Sequence, residues 1–512
     1  MRIITGKKAV LQTVPSILHD ESQYRSGVPQ KVFFPESCSD LQSILEEAHR
    51  NKIPVVFIGG QTGTTGGAVP DEDSFAVCFS AMNKIVYIKL DDDFPVLYCN
   101  PGVTLSSINK FLQAPQDWPG QVEGIQLLNK VGYMYPPDPT ETTAQIGGTV
   151  ATNASGARSF RFGSTRNFVT HLGCVLSTGD KLEIPRGKYL SQNNCFRVKT
   201  DHGKAIEIPA PKFDSPQLKN ASGYFSRPSM DLIDLLIGSE GTLAAFYEIG
   251  IRLIPDAQII SGMSFFDNNQ SAFDFADFLR QQSQVVSIEY FDSSSLRLLS
   301  ENRDRLSENF PQYPSGKNFS VFWEFTDNNP ESFESGLDIW EKQLIVCGSS
   351  LDHTWSGFDP KERELLRKFR HTIPELINSL ITKHKINWPS IRKIGTDTAV
   401  PAQVFRSVYS DYIDTIKKRS LDYASFGHLG DYHLHINIIP SNDSQMTSAL
   451  ETFRELMYLT VKNRGTVSAE HGIGKIKKEY FQMMYDQQAI SQMKAIKSAF
   501  DPSDILNCGN LF

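Results

Sequence analysis

The apolar positions change period along the chain, and the changes mark out its elements. Between Ser39 and Lys52, Leu41, Ile44, Leu45 and Ala48 recur at helical spacing, and the run Ile53 to Ile58 predicts a buried strand. A further strand is predicted from Ala245 to Leu253. From about Ile259 helix-like and strand-like segments alternate. Phe273, Ala276 and Leu279 share a helical face, VVSIEYF and NFSVFWEF read as strands, and Glu331 to Gln343 reads as a helix. A long helix is predicted over Glu362 to Lys385, interrupted at Pro374, and another over Gln403 to Lys418, ahead of strands around Ala424 and Leu434. The pattern is α+β and suits an antiparallel sheet covered by helices.

At 512 residues the chain exceeds what one hydrophobic core serves, so two or three domains are expected. Hydrophobic residues make up 40% and charged ones 21%, which describes a globular chain and not a disordered one. A net charge of -7 offers no general field for nucleic acid. No apolar run has the length of a transmembrane helix, and MRIITGKKAV lacks a signal peptide's apolar core, so a cytoplasmic protein is expected, with peripheral contact on the inner face of a membrane left open. The seven cysteines show no CxxC spacing, which suits reduced thiols.

Three glycine-rich stretches punctuate the first half. In GGQTGTTGG, five of nine residues from Gly59 to Gly67 are glycine, directly after the predicted strand. Glycine lets backbone amides approach a ligand closely, so such a loop can cradle a pyrophosphate. The residues that follow, Thr64, Thr65, Gly66, Gly67 and Pro70, are poor helix formers, which disfavours a Rossmann unit, and the absence of GKS or GKT excludes a P-loop. The second stretch, YPPDPTETTAQIGGTVATNASGARSFRFGSTRNFV from Tyr135, interleaves glycines with hydroxyls and amides that suit a polar cofactor. The third is Gly238-Ser239-Glu240-Gly241. The polar segment Gln192 to Arg227 reads as an insertion into the same domain.

The second half holds the densest chemistry. FGHLGDYHLHIN, from Phe426 to Asn437, places His428, His433 and His435 within eight residues, and SAEHGIGK adds Glu470 and His471. Imidazole and carboxylate donors suit a borderline divalent ion such as zinc, whose open position binds substrate oxygen. On a strand, residues 433, 435 and 437 share one face, so His433, His435 and Asn437 can point together, and His428 joins them only if Gly427 to Asp431 turns, which the glycines at 427 and 430 permit.

These stretches, with GSEGTL and the closing FDPSDILNCGNLF, resemble in content and order the FAD-linked 2-hydroxy acid dehydrogenases, which include D-lactate, D-2-hydroxyglutarate and glycolate dehydrogenases. The resemblance runs from about residue 30 to 512. It implies a two-lobed vanillyl-alcohol-oxidase-type FAD-binding domain over 1–257, an α+β antiparallel-sheet substrate (cap) domain over 258–469, and a C-terminal segment, 470–512, that returns to the FAD domain. It further implies that Gly59, Gly60, Gln61, Thr62, Gly63 and Thr64 surround the pyrophosphate, and that Asp138, Thr143, Gly147, Gly148, Asn153 and Ser155 line the rest of the FAD. Glu240 and Gly241 fall near the adenine end and Asn507 near the flavin. With no histidine between Gly59 and Pro70, the FAD is expected to be noncovalent.

The implied reaction removes a hydroxyl proton and transfers a hydride to flavin N5. His428, His435 and Glu470 are the implied metal ligands, His471 the base and Arg370 the partner of the substrate carboxylate. The competing reading of Arg370 is a solvated basic helix face, since Arg367 and Lys368 are neighbours. Where one common form of the motif reads GDGN, this chain has Tyr432 and His433; a metal bond, a flavin contact and a part in substrate choice are all open to His433. Some relatives specific for larger diacids carry a lysine where this chain has Gly395, which counts against a dicarboxylate substrate unless Arg392 or Lys393 compensates; the expected substrate is a D-lactate-like D-2-hydroxy acid. The expected acceptor is a quinone, cytochrome or flavoprotein, and a homodimer is left open. Two alternatives stand beside this reading: an FAD-binding electron-transfer subunit, and an ether-lipid synthase-like flavoenzyme.

Overall fold

The computed structural model describes residues 1–128, 132–302, 313–326 and 330–512. They form two compact units. The first comprises residues 1–156, 163–256 and 468–512, the second residues 157–162 and 257–467.

The first unit is built on two sheets. In one, the strands run in the order Arg2–Thr5, Lys31–Phe34, Phe75–Cys78 and Val55–Ile58, the last three mutually parallel. The helix Cys38–Asn51 begins at Ser37, whose side chain accepts the Asp40 N–H, and ends at Lys52 in the left-handed region. Its predicted stripe, Leu41, Ile44, Leu45 and Ala48, is fully buried against Phe33, Val55, Phe75 and Val77. The other sheet is antiparallel, in the order Ile85–Asp91, Phe94–Cys99, Ala245–Arg252, Val169–Val175 and Lys181–Pro185. Residues 505–507 extend the first sheet: the Val55 N–H donates to Ile505 O and the Asn507 N–H to Val55 O. Gly59 therefore follows directly on a strand flanked on both sides. The polar stretch after Gln192 carries the hairpin Cys195–Lys199 and Ala205–Pro209.

The second unit, among the described residues, is one antiparallel sheet of eight strands. Its order is Thr354–Gly357, Ile259–Phe266, Phe319–Thr326, Val285–Phe291, Tyr423–Gly427, His433–Ile438 and Ile394–Gly395, with Thr398–Ala399 also paired to His433–Ile438. Helices Ser293–Glu301 and Pro360–Lys385 cover one face, where Leu296, Leu366, Phe369, Ile373 and Ile377 pack on Met263, Phe265, Phe291 and Phe322. On the opposite face Tyr290 meets Phe273 and Tyr409 from helices Asn269–Arg280 and Phe405–Lys418. A helix is also present at Pro330–Val346.

The expected interruption at Pro374 does not occur; Pro360–Lys385 is one helix with Pro374 inside it. Lacking an N–H, Pro374 cannot donate to the carbonyl of Arg370. The helix continues because Leu366, Phe369, Ile373, Leu376, Ile377 and Ile381 stay buried on both sides of the proline. Their burial, at about 1.5–3 kcal/mol per large side chain, outweighs a penalty of about 3 kcal/mol.

Candidate active site

In the first unit the glycines divide into those that allow packing and those that present open backbone. A Cβ on Gly60 would sit 2.9 Å from Thr143 O, and one on Gly147 would sit 2.6 Å from the Pro101 side chain, so these two glycines let the first loop and the second stretch close on their neighbours. Gly148 is exposed, and a Cβ there would have nothing within 4 Å. Gln145 Oε1 is buried without a hydrogen-bond partner, 3.7 Å from the Cβ position of Gly59. A buried acceptor beside open glycine backbone fits a polar ligand that brings a donor to it. Gln61 takes the left-handed region, and its amide donates to Ser16 O and His19 O, which fixes the loop while Gly63 and Thr64 stay exposed. Thr62 is half-buried, and Thr143 donates through both its N–H and its hydroxyl to Glu141. Asp138 lies under Gly156, where a Cβ would strike its carbonyl oxygen at 2.1 Å. Asn153 ends the helix Ile146–Thr152 in the left-handed region, and its Oδ1 accepts from the Ser164 hydroxyl and the Arg166 N–H.

Glu240, Gly241 and Asn507 form a buckle. The Glu240 carboxylate accepts the N–H groups of Ile473 and Gly474 at 2.7 and 2.6 Å. Its backbone carbonyl accepts from Asn507 Nδ2 at 2.8 Å and Asn510 Nδ2 at 3.2 Å, and Asn507 Oδ1 accepts the Phe57 N–H. A Cβ on Gly241 would lie 2.6 Å from Asn507 Nδ2. Glu240, expected near the adenine end, and Asn507, expected near the flavin, are thus in direct contact through the Glu240 backbone carbonyl. Burial pushes the Glu240 carboxyl up to about 7 against the two N–H donors, which pull it down.

The same unit holds SAEHGIG. The Ser468 hydroxyl donates to Gly472 O, Lys477 donates to Ser468 Oγ, and Ser468 O accepts from the Ala221 N–H and the Ser222 hydroxyl. Glu470 is buried and pairs with Lys219, which also donates to Gly156 O at 3.1 Å; the Ser155 hydroxyl donates to Glu470 Oε1 at 3.2 Å. Lys219 escaped the sequence reading. His471 is half-buried, and its carbonyl accepts from the Thr65 hydroxyl.

In the second unit His428, His433 and His435 converge, each offering a ring nitrogen within 4.8 Å of the other two. Gly427, at φ 125°, and Tyr432, at φ 54°, turn the chain between the strands through a short 3-10 segment, Leu429–Asp431. Gly430, expected to make that turn, has no positive φ; it is glycine because a Cβ would lie 2.9 Å from the Phe160 ring.

Two of the three imidazoles are hydrogen-bonded at Nδ1. His435 Nδ1 lies 3.3 Å from Thr396 O. A carbonyl oxygen only accepts, so Nδ1 of neutral His435 carries the proton and Nε2 the lone pair. His428 Nδ1 is hydrogen-bonded to Glu289 Oε1, which likewise turns Nε2 toward a ligand. His433 is fully buried, with Nε2 3.2 Å from Asp397 Oδ1. Two imidazoles tethered at Nδ1 with Nε2 as donor fit a divalent metal, as the donor chemistry requires.

Glu289 Oε2 accepts from Arg370 Nε at 2.9 Å. Arg370 is therefore largely buried and charge-paired, whereas its neighbour Arg367 is exposed beside Glu364, so the solvated-face reading fails for Arg370. Arg158, from the short segment 157–162, grips Glu324 with Nε and Nη2 at 2.9 and 3.2 Å. Burial raises the Glu324 carboxyl, but Arg158, helped by Arg370, outweighs it and holds the group below its ordinary value. Glu289, Asp397, Arg158 and Lys219 were all missed as site residues. A carboxylate at the centre of the apolar run VVSIEYF is itself a signal, because a buried charge requires a partner.

Comparison with known proteins defines the class. Residues 29–184 match the model described as FAD binding domain, and residues 256–511 the model described as FAD linked oxidases, C-terminal domain. The chain is thus an FAD-dependent oxidoreductase, an α+β protein with the vanillyl-alcohol-oxidase-type fold. It belongs to the FAD-linked oxidases. It is 27% identical to D-2-hydroxyglutarate dehydrogenase of Stutzerimonas stutzeri (strain A1501) over 96% of this chain and 93% of the relative. It is 25% identical to D-lactate dehydrogenase of Archaeoglobus fulgidus over 93% and 90%. Among solved structures, p-cresol methylhydroxylase with substrate bound shares the fold at a TM-score of 0.68 and 13% identity, covering 99% of this chain and 93% of that one. No helix among the described residues is long and apolar enough to cross a membrane.

Proposed function

We propose that the protein oxidises a small D-2-hydroxy acid of the lactate type to its 2-oxo acid, with noncovalent FAD as hydride acceptor and a divalent ion, zinc by donor type, as Lewis acid. The observation that carries this reading is the pair of imidazoles, His428 and His435, each tethered at Nδ1, with Arg370 joined to the same carboxylate as His428. When bound, the ion lowers the pKa of an alcohol oxygen and the flavin takes up the hydride.

The chain's residues do the rest. Arg370 holds the substrate carboxylate in a charge-assisted contact that fixes which hydrogen of the 2-carbon is presented. His428, His435 and Glu470 are the proposed ligands; pairing with Lys219 engages one Glu470 oxygen, and a carboxylate has a second. His471 takes the hydroxyl proton as general base. His433, fully buried with Nε2 facing the Asp397 carboxylate, is assigned to shaping the imidazole cluster and not to the metal. The first unit is the proposed FAD domain and the second the proposed substrate domain. Electrons then pass to a quinone, a cytochrome or another flavoprotein.

The test is anaerobic mixing of the FAD-loaded protein with a panel of D- and L-2-hydroxy acids, alongside metal analysis and chelation. Bleaching by D-lactate or a close homologue, lost on chelation and restored by zinc, is the expected result. If no 2-hydroxy acid bleaches the flavin, the substrate assignment is wrong; bleaching that survives complete metal removal rejects the Lewis acid alone.

A further inference from the structure

Glu289 holds a position that the reaction as proposed leaves without a task. It stands on Val285–Phe291, its side chain is 3% exposed, and its two carboxylate oxygens go to two different functional groups: Oε2 to Arg370 Nε and Oε1 to His428 Nδ1. The strand's alternation points Glu289, Ser287 and Phe291 to the face covered by Pro360–Lys385, which is how a strand residue reaches both the helix-borne guanidinium and the imidazole at the strand's neighbour.

We infer that Glu289 is a positioning residue that couples carboxylate binding at Arg370 to divalent-metal binding at His428, so that each ligand tightens the other. The inference rests on the metal and Arg370 assignments proposed above. One buried carboxylate shares its charge between two donors, and in a low-dielectric interior neither share is screened by water. A substrate carboxylate at the guanidinium offsets part of the positive charge that Glu289 faces. More of the Glu289 charge then polarises the His428 Nδ1–H, and a better-polarised imidazole donates more strongly from Nε2. The reverse follows by linkage: an ion on His428 draws Glu289 toward the imidazole and leaves Arg370 a stronger anion receptor. Glu324 does not replace Glu289 here, because Arg158 grips it through two N–H groups.

The experiment measures zinc affinity of the FAD-loaded protein by chelator competition, with and without propionate, a carboxylate that has no 2-hydroxyl. It compares the wild type, Glu289→Gln, Arg370→Met and the double variant, with flavin content and thermal midpoint checked for each. In the wild type propionate should tighten zinc on the order of fivefold or more. Glu289→Gln should weaken zinc by roughly 10–100-fold and lose most of the propionate response. Arg370→Met should tighten zinc without propionate, and that gain should vanish in the double variant when it is compared with Glu289→Gln alone. The cycle keeps the inference open to refutation if Glu289→Gln alone folds poorly, since Arg370→Met must still tighten zinc and lose the propionate response. Equal propionate responses in wild type and Glu289→Gln, or zinc weakened by Arg370→Met, overturn the coupling while the metal reading stands. A wild type that binds no zinc overturns both.

Discussion

Glu240→Gln turns the loop buckle into a measurable pH effect. In the folded protein the Glu240 carboxyl sits at about 7, against 4.5 for an ordinary glutamate, because its burial outweighs the two backbone N–H donors. A carboxyl raised on folding makes the native state bind more protons than the unfolded chain between those two values, so stability falls as pH rises through the window. Integrated between pH 5 and pH 8, one such group removes about 2.5 kcal/mol. The amide introduced by Glu240→Gln cannot ionise, but its nitrogen faces an N–H group of Ile473 or Gly474 that then lacks an acceptor, at a cost of about 1–3 kcal/mol at every pH. The variant should therefore be the less stable protein at pH 5, and the gap should close or reverse by pH 8. Denaturant unfolding of both FAD-loaded proteins across this range gives the difference directly, since every other titrating group is common to the two. A gap that stays constant within about 0.5 kcal/mol would show that Glu240 does not titrate in this window. The argument from burial would then be wrong.

His471→Ala should keep its flavin and lose reduction by a 2-hydroxy acid by about 100-fold or more in single-turnover bleaching, with partial recovery when imidazole is added; normal turnover would remove His471 from the mechanism. Arg158→Leu should cost about 3 kcal/mol in denaturant unfolding by leaving Glu324 buried without its partner, and Arg158→Leu with Glu324→Leu should recover most of it. Additive losses in that double variant would show that the pair is not coupled.

What the sequence reveals depends on how local the physical cause is. The helix Cys38–Asn51 and the strand Val285–Phe291 follow from local periods of 3.6 and 2, and the glycine stretches announce the close backbone approach found at Gly60, Gly147 and Gly156, though not the open backbone at Gly148. The histidine cluster is visible because its members lie within eight residues. Glu289 is different: its partners His428 and Arg370 are remote in the chain, 139 residues away in the case of His428, and only strand order brings them together. Arg158 sits in a stretch whose glycines suggest cofactor binding, yet it packs with the second unit. Pro374 misleads for the opposite reason. Its local cost is real, and a buried stripe that continues on both sides of it outweighs that cost.

The pairing of Val55 with Ile505 and Asn507 has a meaning for synthesis. Asn507 Oδ1 accepts the Phe57 N–H across 450 positions of sequence, and its backbone closes the exposed side of the strand that carries the first glycine loop. At about 5–20 residues per second, that strand leaves the ribosome at least some 20 seconds before its edge can be covered. Until then a parallel apolar strand stands with an open edge, the kind of surface that recruits holding chaperones or pairs with a second nascent chain. The yield of flavin-loaded protein should therefore respond to substitutions at Leu506, a residue remote in sequence from every glycine of that loop.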